Sequence, residues 1–129
     1  MKVLILGDAG VGKTNYINYI VGKQFVKEYI PTKVVYPTEF NGNIYYDFSG
    51  QCVLDKIEGI DQCWILFRSD SRTSLVNVLK WEQKAKEMCS GQIEIKFLKN
   101  VIYQNGQKPS NFLVYDIKKK CIRHLIKKK

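Results

Sequence analysis

Residues Gly7 to Thr14 read Gly-Asp-Ala-Gly-Val-Gly-Lys-Thr and directly follow the apolar run Val3-Leu4-Ile5-Leu6. This is the pattern G-x-x-x-x-G-K-[ST] at the exit of a short strand, and beyond it Ile17, Ile20 and Val21 recur at helical spacing. Strand, glycine-rich turn and helix in that order make a cradle for phosphate. The glycines let the loop curl until successive backbone N–H groups point inward, and the helix adds the positive end of its dipole. In such a loop Asp8, Ala9, Gly10, Val11, Gly12, Lys13, Thr14 and Asn15 surround the ligand, with Lys13 reaching the terminal phosphates and Thr14 ligating Mg²⁺. A glycine-rich turn carrying an exposed lysine is the plainer alternative, and the flanking strand and helix weigh against it.

A chain of 129 residues is expected to be one domain, and its 45% hydrophobic content is enough for a packed core. The formal charge of +9 is concentrated at one end, where Lys118, Lys119, Lys120, Arg123, Lys127, Lys128 and Lys129 stand with no acid among them. The body is then only about +2, so residues 1–117 read as a domain and 118–129 as its basic helix end and tail. Nucleic acid is not an expected partner, because the charge forms no basic face on the globule. The tail reads as solvated, with nuclear import, an acidic partner and anionic lipid as alternatives. Cys52, Cys63, Cys89 and Cys121 form no C-x-x-C pair, which points to neither zinc nor disulfides. No apolar stretch suits a signal peptide or a membrane span, and neither end offers a lipidation motif. An intracellular protein, cytoplasmic or nuclear, with no integral membrane contact is expected.

Further along, the segments Val34–Phe40 and Ile44–Phe48 flank Asn41-Gly42 and read as an antiparallel hairpin. Cys63–Phe67 is a continuous apolar strand, and Leu75, Val78, Leu79, Ala85, Met88 and Cys89 mark one face of a helix capped at Asp70 or Ser71 and stopped by Gly91. Ile93–Leu98 and Phe112–Tyr115 are two more strands, and Ile122, Leu125 and Ile126 lie on one side of a closing helix. The order implies an α/β fold: a mostly parallel six-stranded sheet with one antiparallel edge hairpin and helices on both faces. Ligands of such sheets bind at the carboxyl ends of the strands, where the Gly7–Thr14 loop falls.

With the loop in place, the residues after it resemble the Ras-like small GTPases, most closely the Ran branch. Gly22-Lys-Gln-Phe-Val-Lys-Glu-Tyr-Ile-Pro-Thr32 is similar to the helix exit and first switch loop, and Asp47-Phe-Ser-Gly-Gln51 to the D-x-x-G-Q element. Asp61–Phe67 and Asp70–Trp81 are similar to the central strand and following helix of the Ran branch. The resemblance implies a P-loop GTPase fold with GTP or GDP as ligand and Mg²⁺ as cofactor. It implies Thr14, Thr32 and Asp47 at the metal, Gly50 at the γ-phosphate, and Gln51 positioning the attacking water with Lys13 as the other catalytic group. Effector and regulator proteins are the partners it implies. Plainer readings stand beside these: Thr32 as a residue after a turn proline, Asp47 as a solvated strand end, Gln51 as a surface glutamine.

The base side departs from the pattern. N-K-x-D, whose aspartate accepts from guanine, is matched only by Asn100-Val-Ile-Tyr103, so Asn100 keeps a ring contact while the carboxylate is lost and the base preference is open. The later S-A-K loop is matched only by Lys118-Lys-Lys120. Between Tyr103 and Phe112 too few residues remain for the helix of a full G domain, so one helix is expected to be missing and a second copy or a partner could cover the exposed face. Ala9 stands where the loop comes nearest the γ-phosphate, and its methyl implies slow hydrolysis. His124, the sole histidine, has no nucleophile or acid at catalytic spacing, and Trp64 and Trp81 read as core or interface aromatics. Three functions fit: a Mg²⁺-dependent GTPase switch, a pseudo-GTPase interaction module that does not cycle, and a P-loop nucleotide kinase. The last lacks an arginine-rich lid.

Overall fold

The computed structural model describes residues 1–22, 36–48, 58–89, 92–101 and 114–127. The elements are β1 (Lys2–Leu6), α1 (Lys13–Ile20), β2 (Tyr36–Phe40), β3 (Asn43–Asp47), β4 (Gln62–Arg68), α2 (Arg72–Val76), α3 (Val78–Met88), β5 (Glu94–Asn100), β6 (Val114–Ile117) and α4 (Lys119–Lys127).

Val3 to Leu6 are all buried, as a central strand flanked on both sides requires. β1 pairs in parallel with β3 and with β4, β4 pairs in parallel with β5, and the six strands run in the order β2-β3-β1-β4-β5-β6. The expected hairpin is β2-β3, antiparallel, and Asn41 and Gly42 at its turn both have positive φ, 50° and 79°. That is the turn whose twist matches the strands it joins, which is why Asn-Gly marks it. The far edge adds a second antiparallel pair, β5-β6, with Leu98 opposite Asp116. An antiparallel neighbour needs no crossover helix, whereas a parallel one does.

Alternation along each strand divides the core in two. Leu4, Leu6, Cys63, Ile65, Phe67 and Phe97 face α3 and α4, whose Val78, Ala85, Met88 and Ile122 close that side. Val3, Ile5 and Tyr45 face the other way and are covered by Ile17 of α1. Helices therefore lie on both faces of the sheet, as expected.

The helix expected from Thr73 to Cys89 is two, α2 and α3, joined at Asn77. The hydrogen-bond ladder runs through the junction, from Asn77 N–H to Thr73 O and from Trp81 N–H to Asn77 O, both 3.0 Å. Only the dihedrals flatten, with ψ −10° at Asn77. Ser71 is the cap, its hydroxyl accepting from Ser74 N–H at 3.2 Å. α3 ends at Met88, with Cys89 already extended, before the expected stop at Gly91, which lies outside the described residues. The strand start at Phe112 also lies outside them.

Burial raises the thiol pKa of both Cys63 and Cys89, while Cys121 is exposed on α4. Among these three, Cys121 should react with a thiol reagent in the native protein and Cys63 only on unfolding. Fast native labelling of Cys63, read by peptide mass mapping, would contradict its place in the core.

Candidate phosphate and metal site

The parallel register sets the site. Ile5 pairs with Asp47 and Arg68 pairs with Asn100, so the ends of β3, β1, β4 and β5 finish along one edge of the sheet. The loop from Gly7 to Gly12 emerges there and feeds directly into α1. Gly10 and Gly12 have φ 80° and 99°, and Gly12 is the N-cap of α1. Left-handed residues at these two places curl the chain back on itself, the geometry that turns backbone N–H groups to one side. α1 begins at Lys13, which places its dipole at the mouth of the loop.

Lys13 is 8% exposed, and its ammonium donates to the carbonyls of Gly7 (2.7 Å) and Asp8 (3.0 Å). Burial draws its pKa below the usual lysine range, with Asp47 and then Asp8 opposing. A buried cation held by two neutral carbonyls is poorly compensated, and an incoming anion would improve its surroundings. Thr14 Oγ1 donates to Asp47 Oδ2 at 2.5 Å, and Asp47 is 5% exposed. These are hard oxygen donors, one a carboxylate, brought together beside a lysine and a curled loop. Their chemistry fits Mg²⁺ and not a soft metal. Groups of three or more His, Cys, Asp or Glu are absent among the described residues, so a cation here would draw much of its shell from other oxygens, the phosphates and water among them.

Asn100 was expected at the base. It is buried at the end of β5, and its Nδ2 donates to the Val11 carbonyl at 2.9 Å, so its amide braces the loop from behind. The Lys118–Lys120 stretch was matched to a loop offering a backbone amide. Instead it opens α4: the N–H groups of Cys121 and Ile122 bond to Lys118 O, and Lys119 pairs with Glu82 of α3 at 3.0 Å. Lysine-rich sequence at a strand exit forms a helix start here because Ile122 and Ile126 have a core to enter. Thr32, Gly50, Gln51 and Tyr103 lie outside the described residues.

Three residues meet the loop that were not expected there. Arg68, at the end of β4, donates from Nη1 to the Gly10 carbonyl at 3.1 Å and is held by Asp70 through Nε at 2.8 Å. Asn77 and Trp81 donate to the two carboxylate oxygens of Asp8 at 2.8 and 2.7 Å. Trp81 was expected to be a core or interface aromatic. It packs against the core, and its indole N–H also grips the loop, because an indole donor at a core boundary needs an acceptor. Their Asn77/Trp81 spacing of one helical turn on an otherwise apolar face was the available signal. A cleft of about 380 Å³ runs along the loop from Asp8 to Val11, with Arg68, Asp70 and Ser71 as its opposite wall.

Comparison with known proteins agrees with this geometry. The chain is 32% identical to the GTP-binding nuclear protein GSP1 of Encephalitozoon cuniculi over 92% of its own length and 62% of that protein's. It is 29% identical to the Ras-related protein RABG3f of Arabidopsis thaliana, over 65% of this chain and 47% of the relative. To the GTP-binding protein RHO3 of Saccharomyces cerevisiae it is 30% identical, over 85% of this chain and 53% of the relative. Its relatives are Ras-superfamily small GTPases. The chain spans about half to three fifths of their length, and its six-stranded sheet is a truncated form of the P-loop GTPase fold. No family model matches it. Among the described residues, no helix is long and apolar enough to cross a membrane.

Proposed function

We propose that this protein is a small GTP-binding switch of Ran-like type that takes Mg²⁺-nucleotide at the Gly7–Thr14 loop and hydrolyses it slowly. The observation that carries the reading is the convergence of Lys13, Thr14 and Asp47 at the mouth of one curled loop. Phosphoryl transfer asks for little more from a protein than such a cradle, a metal and a positioned water. The relatives' names, which carry GTP binding, support it.

Backbone N–H groups between Asp8 and Lys13 would hold the phosphates, and Lys13 would leave its two carbonyl partners for the terminal phosphate oxygens. Thr14 and Asp47 would hold Mg²⁺, joined by Thr32 in the triphosphate state. The ion, when bound, neutralises charge on the phosphates. Gly50 would meet the γ-phosphate and Gln51 would orient the water that converts GTP to GDP and phosphate. The γ-phosphate would draw Thr32 and Gly50 inward, and effector proteins would read the ordered loops. Ala9, with its added methyl, argues for a low intrinsic rate. With no carboxylate in Asn100–Tyr103, guanine is weakly distinguished from adenine.

The deciding experiment identifies any nucleotide carried through purification and then titrates GTP, GDP and ATP with and without Mg²⁺. Micromolar or tighter Mg²⁺-dependent binding with little preference for guanine is expected. Absence of binding for every nucleotide would leave the pseudo-GTPase reading. Gln51→Leu should slow turnover on the order of tenfold, about 1.4 kcal/mol of barrier, with affinity unchanged. Equal turnover would remove Gln51 from the mechanism.

A further inference from the structure

Trp81 touches two parts of the molecule that the proposed function needs to act together. On one side its indole N–H donates to Asp8 Oδ1 at 2.7 Å, and Asn77, one turn earlier, donates to Oδ2 at 2.8 Å. Both oxygens of the carboxylate are thus turned toward the helix, while the carbonyl of the same residue faces the Lys13 ammonium. On the other side the Trp81 ring meets Phe48 edge-on, with centroids 6.4 Å apart and planes at 81°. Phe48 is fully buried and directly follows Asp47. Lys84 covers the pair, its ammonium 5.2 Å from the Trp81 ring centre and 5.4 Å from that of Phe48.

We propose that Trp81 is a positioning residue that couples the phosphate loop to the end of β3, so that occupancy at one is felt at the other. The inference rests on the reading that Gly7–Thr14 binds nucleotide phosphates. Its physical basis is twofold. A carboxylate at the first position after Gly7 would repel a polyanion if it swung inward, and two charge-assisted hydrogen bonds from one helix hold it outward. The acceptor and the aromatic contact also belong to the same rigid indole, so the loop cannot shift relative to Phe48 without breaking one of them. Asp8 and Trp81 are 73 residues apart. The sheet ties Phe48 to β1 through Phe48 N–H on Ile5 O at 3.3 Å, and Thr14 reaches Asp47; Trp81 adds a separate link from the α3 side.

The test is the dissociation of a fluorescent GTP analogue and its GDP counterpart, both with Mg²⁺, from the wild-type chain, Trp81→Phe, Asp8→Ala and the double variant. Trp81→Phe keeps a ring against Phe48 and removes the donor. It should speed triphosphate dissociation on the order of tenfold, the size of one hydrogen bond to a charged group. Asp8→Ala cuts the same link but removes the anion with it, so its effect should be smaller, and the double variant should be no faster than Asp8→Ala alone. The diphosphate should be affected less, because on the proposed reading the γ-phosphate is the group that would bridge the loop and Gly50. A merely structural role would lower the melting temperature and leave the ratio of the two rates unchanged. Unchanged rates in Trp81→Phe, or additive effects in the double variant, would overturn the coupling while nucleotide binding stood. A wild-type chain that bound no nucleotide would overturn the functional reading and the coupling with it. Trp64→Phe makes Trp81 the only tryptophan and serves if Trp81→Phe fails to fold. Its emission should differ between the GDP and GTP forms, and identical spectra would overturn the proposal.

Discussion

Lys13→Ala should lower the affinity for Mg²⁺-GTP on the order of a hundredfold or more while leaving the fold intact. The Lys13 ammonium bonds to the Gly7 and Asp8 carbonyls and is largely buried, so it can exchange neutral acceptors for phosphate oxygens. Hydrogen bonds to charged groups contribute about 1.5–3 kcal/mol, and about 3 kcal/mol corresponds to roughly a hundredfold in binding. Removing the side chain also removes a buried charge that burial disfavours, which limits any loss of stability. Equilibrium titration beside a thermal melt separates the two effects. Retained affinity in Lys13→Ala with a normal melt would mean that the loop does not hold phosphate by its lysine.

Gly7→Ala should do the reverse, harming the fold first. Gly7 has φ 149°, and a Cβ built there would lie 2.4 Å from the Leu66 carbonyl oxygen and 2.9 Å from Val11 Cγ2. The Leu66 carbonyl belongs to the main chain of β4, where Leu66 is paired with Leu98 of β5, and has little room to yield. A loss of about 2–4 kcal/mol is expected, from overpacking and an unfavoured backbone conformation together. That is a large part of a domain's total stability and lowers the melting temperature by roughly 10 °C. Gly22 is the control. Its φ is also positive, 76°, but nothing lies within 4 Å of its Cβ position, so Gly22→Ala should cost only about 1 kcal/mol. Similar melting of the two variants would contradict the close approach of the loop to β4.

The two substitutions separate what a linear pattern conveys from what it does not. The motif gives glycine at both ends of the loop, and the local features around it were open to reading: the strand before, the helix after, the Asn41-Gly42 hairpin, and the helical face through Val78, Ala85 and Met88. Each depends on residues only a few positions apart, where backbone preference and side-chain period act directly. The split of that helix at Asn77 escaped notice because apolar spacing is the same on either side of a flattened turn. The bond of Asn100 to Val11 was not legible either, since an amide suits a base edge and a loop carbonyl equally well.

By itself the sequence determined the phosphate loop, the order of the elements and the apolar faces that bury them. Tertiary structure alone decided which distant polar groups meet at the loop: Asp47 on Thr14, Arg68 on Gly10, Asn100 on Val11, and Trp81 with Asn77 on Asp8. It also decided the antiparallel turn of β6 and the packing of α4 beside α3. The reason is physical. Periodicity specifies which side of an element is apolar, but strand order and register specify which strand ends lie side by side, and hydrogen bonds between residues dozens of positions apart exist only once that register is set.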